Sequence, residues 1–172
     1  MILRGVNAET VANVTGLAKN MKLGSLDSIN EPHAPPIQTD DEPDEPSVKR
    51  PGILVGEELA ANLHVVLGSE VRVSPLGEST PMGMMPKMRR YVVTGVFSTG
   101  LLEFDSKFGF ISLEQAQSFF NMGDAITGLE MKVSDVWQAK QIGLELQNEL
   151  GWPFRTKYWM EMNRNLYSAL KL

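Results

Sequence analysis

The sequence contains no cysteine and only two histidines, His33 and His64, far apart along the chain. Disulfides, thiolate metal sites and a multi-histidine metal site within one chain are therefore excluded. No run of about 18 apolar residues occurs, so no membrane-crossing helix is predicted. No signal peptide is visible. There is no Walker lysine loop and no Gly-x-Ser-x-Gly elbow. Gly95, Gly100 and Gly109 stand singly, as turn or strand glycines rather than a phosphate cradle. No nucleophile sits beside a base in any recognisable pattern. A non-catalytic domain is expected, with no cofactor and no metal.

What the chain does have is length enough for one domain or two small ones: 172 residues, 42% of them hydrophobic. The formal net charge is -5, which weighs against a polyanionic partner. Most of that charge sits in residues 31–50, EPHAPPIQTDDEPDEPSVKR, which hold five prolines and six carboxylates. Such low hydrophobicity with high charge does not offset the entropy of ordering, so a disordered or extended loop is predicted. The N-terminus opens within a predicted strand and the C-terminus closes within a predicted helix, as expected of a piece excised from a longer protein.

The remainder alternates strands and helices. Ile2–Val6 reads as a strand, and residues 8–29 as a weak, interrupted helix with Val11, Val14, Leu17 and Ala18 on one face. Residues 52–55 (GILV) form a short buried strand, followed by a helix over Glu57–Leu63 that ends near a partly exposed His64. Strands are predicted at 71–74, 91–98 and 108–111. Ser112 and Gln115 form a capping box for a helix over 113–121. A strand at 127–133, a helix from Ser134 to Leu150 and a strand at 154–156 make a compact βαβ unit. The long helix carries Val136, Ala139, Ile142, Leu146 and Leu150 on one face. A last helix begins at Thr156 with Trp159, Met162, Leu166 and Leu170 as its stripe. The sum is an α+β domain with a mixed or antiparallel sheet. Trp137, Trp152 and Trp159 read as packing residues.

Two further clusters each admit a plainer account. Glu103 and Asp105, two apart, would face one way on a strand and could hold a cation; a solvated loop is the simpler account, because a hard cation wants several converging oxygens. Lys87, Arg89, Arg90 and Tyr91 could touch nucleic acid, but four residues in an acidic chain are too small a footprint, so no nucleic-acid partner is expected.

The stretch with most character is SPLGESTPMGMMPKMRRY, residues 74–91. It holds three prolines, two glycines and four of the ten methionines, between two strands that would pair as a long antiparallel hairpin. Methionine is unbranched and adaptable, and suits surfaces that grip a partner's apolar groove. Prolines stiffen the loop, so less entropy is lost on binding. Lys87, Arg89 and Arg90 at its base would steer an acidic partner. One reading is a projecting hook with Met82, Met84 and Met85 exposed. The other is a hairpin tip folded onto its own domain, with the methionines filling gaps. Chemistry alone divides the two evenly.

The combination of TPMG, the RR-strand, ISLEQAQ, TGLEMKV and the closing WMEMNRNLYSALKL resembles the extracytoplasmic domain of lipoprotein-releasing ABC transporter permeases, the LolC/LolE family, grouped with FtsX-like and MacB-like permeases. The likeness is good over 53–172 and fair over 1–24; residues 31–50 carry no family motif. It implies a MacB-like periplasmic domain of an inner-membrane protein, with a mixed sheet, a βαβ unit near the C-terminus and a long projecting β-hairpin. The implied parts are an N-terminal strand and helical segment (1–30), an acidic insert (31–50), a strand-rich subdomain (51–125) bearing the hairpin at 75–90, and a porter-like βαβ portion (126–172) leading to the second transmembrane helix. It implies a hook that recruits a LolA-like periplasmic lipoprotein carrier through Pro81, Met82, Gly83, Met84, Met85, Pro86, Lys87, Met88 and Arg89. Further implied partners are a second permease subunit, a LolD-like cytoplasmic ATPase subunit and the lipoprotein cargo. The family's domain begins with a further βαβ stretch that this chain lacks, so Ile2–Val6 is expected to be an edge that invites dimerisation. A MacB-like efflux or mechanotransmission domain, docking another periplasmic partner, is the alternative.

Overall fold

The computed structural model describes residues 1–33, 49–74 and 88–162. They divide into two compact units, Met1–Glu130 and a second beginning at Met131.

The first unit is built on a seven-stranded mixed sheet: β1 (Ile2–Val6), β2 (Met21–Gly24), β3 (Pro32–His33), β4 (Arg50–Gly56), β5 (Glu70–Val73), β6 (Arg89–Phe97) and β7 (Phe108–Ser112). The spatial order is β1-β7-β4-β6-β2, with β3 beside β4 and β5 beside β6. β4 runs parallel to β6 and antiparallel to β7; β1 runs parallel to β7. β2 and β5 both lie antiparallel along β6, each covering a different half of it. Among the described residues β1 ends the order, so its outer edge carries no strand.

The GILV run is a strand because both faces of β4 are covered, which favours continuous apolar sequence over alternation. Ile53, Leu54 and Val55 are at most 1% exposed. Ile53 and Val55 join Tyr91, Val93 and Ile111 under α2 (Glu57–Leu63) and α4 (Leu113–Phe119). Leu54 joins Phe97 and Phe110 under α1 (Ala8–Val14) and the 3-10 turn Leu26–Asn30. Phe97 meets Phe110 and Phe104 edge-on, at 5.3 and 6.0 Å between ring centres. Phe104 belongs to α3 (Leu102–Asp105). α4 lies directly on β1: a Cβ on Gly5 would sit 2.2 Å from that of Ala116, so only glycine allows the approach.

Several expectations are met. β1 and α2 have the predicted bounds, and β5 and β6 are antiparallel neighbours. Others are corrected. Residues 8–29 are not one helix: α1 stops at Val14, and Met21–Gly24 leave to pair with β6 as Gly24 turns at φ 72. The ends of the acidic stretch are ordered, since Pro32–His33 pairs with Arg50–Pro51; residues 34–48 lie outside the described set. His64 is exposed, and at φ 55 it closes α2 in the left-handed conformation.

The second unit contains a 3-10 turn (Val136–Gln138), α5 (Ala139–Leu150) and α6 (Trp159–Met162). No strand forms at 127–133 or 154–156, so the predicted βαβ unit is absent. Alternation supplies a strand's faces but not a neighbour to bond with, and neither segment pairs with another described strand. Ser134 does not cap α5: Asp135 caps the preceding 3-10 turn, and α5 begins after Gln138 with no side-chain cap. Trp137 and Trp159 pack edge-on, 5.8 Å between ring centres, as packing residues do, whereas Trp152 departs from that expectation at 94% exposed. Trp159 is half-buried and donates from Nε1 to the Val136 carbonyl at 2.8 Å.

Candidate functional site

The two strands flanking the methionine-rich loop pair in the register Glu70↔Val92, Val71↔Tyr91, Arg72↔Arg90 and Val73↔Arg89. Alternation then sorts the root of the hairpin. Val71, Val73 and Tyr91 turn to the core beneath α4. Glu70, Arg72 and Arg90 take the opposite face. There Glu70 forms ion pairs, its carboxylate lying 2.6 Å from Arg50 Nε and 3.7 Å from Arg90 Nε. Arg72 and Arg90 are directly opposite, and like charges so placed oppose pairing; Glu70 offsets the Arg90 charge.

Of the residues proposed for the hook, Pro81, Met82, Gly83, Met84, Met85, Pro86 and Lys87 lie outside the described residues. Met88 and Arg89 are described, and they differ sharply. Met88 is 59% exposed. Arg89 sits on the core-facing side of β6, half-buried. Its Nη2 donates to Ser118 Oγ at 2.7 Å and to the Ser118 carbonyl at 3.2 Å. Its Nη1 donates to Gln115 Oε1 at 3.4 Å. The guanidinium also lies 6.0 Å from the centre of the Phe119 ring. A charge expected to face a partner is thus turned onto α4.

Two residues of this arrangement, Gln115 and Ser118, were not foreseen. The capping motif did place them on a helix, and a spacing of three puts both on one side of it. Ser112 Oγ accepts from the Gln115 amide at 3.3 Å as predicted. The Gln115 side chain, assigned to the return arm of the box, is instead an acceptor for Arg89.

Tyr91 is 0% exposed, which removes it from any stacking role against a base. Burial pushes its phenol above the ordinary range, and the nearby Arg89 charge pulls the other way. Its hydroxyl has no hydrogen-bond partner of good geometry among the described residues.

The acidic pair resolves into neither of its two readings. Asp105 is 3% exposed and lies on a helix. Its carboxylate accepts from the Thr99 amide, the Thr99 hydroxyl and the Gly100 amide at 2.8–3.1 Å, so it pins the turn after β6. Glu103 points to solvent, where Lys107 Nζ at 2.8 Å holds its carboxyl below the usual range. A groove of about 590 Å3 between the starts of α1 and α4 carries Glu9, Glu31, Lys49 and Glu114, with no nucleophile and base brought together. Among the described residues no helix is long and apolar enough to cross a membrane.

No protein-family model matches the chain. Among curated proteins it is similar to the lipoprotein-releasing system transmembrane protein LolC of Xylella fastidiosa strain Temecula1, 33% identical over 175 residues, 99% of this chain and 37% of that protein. The LolC of a second Xylella fastidiosa strain gives the same figures. The LolC of Neisseria meningitidis serogroup B is 27% identical over 125 residues, 70% of this chain and 29% of that protein. The chain therefore spans little more than a third of the length of these relatives.

Proposed function

The chain is homologous to LolC lipoprotein-releasing transmembrane proteins over nearly its whole length, and from that premise we propose that it is the periplasmic domain of an inner-membrane permease. In this reading the permease releases lipoproteins from the membrane and hands them to a periplasmic carrier of the LolA type. The loop between β5 and β6 is the docking element, with Pro81, Met82, Gly83, Met84, Met85, Pro86, Lys87 and Met88 as its contact residues. Nucleotide hydrolysis belongs to a separate LolD-like cytoplasmic subunit, and a second permease subunit completes the assembly. The homology carries the proposal. It is supported by the antiparallel β5–β6 pair, which brings both ends of the loop to one place, and by the exposure of Met88.

The test is a titration of the carrier against wild-type and Met84→Asp protein, with melting curves alongside. A carboxylate placed against an apolar groove is expected to weaken binding about thirtyfold or more, the equivalent of about 2–3 kcal/mol for an unpaired polar group. The melting temperature should hardly move. Equal binding by the two proteins excludes this loop as the docking site. Lost binding with a collapsed melting curve assigns Met84 to the core instead.

A further inference from the structure

We infer that Arg89 is a positioning residue: clamped to Gln115 and Ser118 of α4, it fixes the direction in which the chain leaves the sheet at the root of the loop. The inference rests on the docking reading above and deepens it.

Val73↔Arg89 is the last pair of the β5–β6 ladder, and Met88 beyond it is in no strand. The final pair of a ladder has backbone bonding on one side only, and such ends fray. The Arg89 side chain supplies the missing restraint from a third element. Its planar fork makes three hydrogen bonds to α4, a geometry that an ammonium group does not reproduce.

α4 is a firm base for this. Ala116 packs against Gly5 and Phe119 is buried in the core. The Ser118 carbonyl belongs to the last turn of α4, where carbonyls lack helical donors and the helix end attracts a cation. Among the described residues no carboxylate pairs with Arg89; its bonded acceptors there are all neutral. A half-buried cation spent on neutral acceptors is poorly placed to steer a partner and well placed to hold a backbone.

Since the chain has no cysteine, Met88→Cys takes a single nitroxide label, with Glu57→Cys on α2 as the control position. In a Gln115→Ala/Ser118→Ala background the label at 88 is expected to become more mobile and the control to stay unchanged. Carrier binding is expected to fall about fivefold, with Arg89→Ala adding no further loss. Arg89→Lys, which keeps the charge and loses the fork, should resemble Arg89→Ala. Should the double variant melt early, Ser118→Ala alone serves, with the same directions. Unchanged mobility at 88 overturns the inference. So does wild-type binding by Arg89→Lys, or a loss from Arg89→Ala that adds in full to that of the α4 variant, since either makes Arg89 a direct contact. If Met84→Asp binds as wild type, the docking reading fails by itself, while the nitroxide still decides whether the clamp exists.

Discussion

In Met1–Glu130 the short run Ile53-Leu54-Val55 is almost wholly removed from solvent. In the unit that starts at Met131, the five-residue stripe Val136, Ala139, Ile142, Leu146 and Leu150 has the more regular period, and none of the five is buried. Gly143 alone is buried among the described residues there. Periodicity forms an element from local rules; burial needs a second surface. The first unit has that surface on both faces of its sheet. Among its described residues the second encloses no such core, and the chain has no cysteine to staple it.

The sharpest way to break this comparison is to remove a large side chain from each unit. Phe97→Ala empties a site that is 0% exposed between Phe104 and Phe110. The expected loss is about 3–5 kcal/mol by denaturant titration. A smaller, conditional effect belongs to Tyr91. Its phenol is held protonated in the folded chain, so its contribution is complete below the ordinary tyrosine value and declines as pH rises through the raised one. Melting curves should therefore fall off above about pH 10, and Tyr91→Phe should flatten that decline without loss at neutral pH. The smallest effect is expected at Trp152, 94% exposed: Trp152→Ala should change stability within about 0.5 kcal/mol. A loss at Trp152 as large as at Phe97 would show that the second unit's apolar residues are packed in solution.

The same contrast explains what could be read from sequence. β1, α2, α4 and the β5–β6 pairing are local or hairpin features, and turn chemistry and capping announce them. Ser112 is legible as a cap because its target lies three residues away. β2 was missed because Met21–Gly24 has little strand character of its own and pairs with a strand some seventy residues later. TGLEMKV misled for the opposite reason, having a strand's alternation without a partner. At the candidate site, Met88 and Arg89 were both expected to face a partner, one as an apolar contact and the other as a steering charge. Only the register separates them, by turning Arg89 toward α4, and one residue of slip would reverse the two.

One feature of β6 has a mechanical side. The strand is bonded along one edge by β4 and along the other by β5 and then β2. Tension applied at the loop enters β6 at its first residue and runs lengthwise down the strand. Because β5 is pulled along with it, the ladders loaded in shear are those to β4 and β2, where several hydrogen bonds share the force at once. Force on the loop is thus borne by an inner strand of the sheet rather than by an edge.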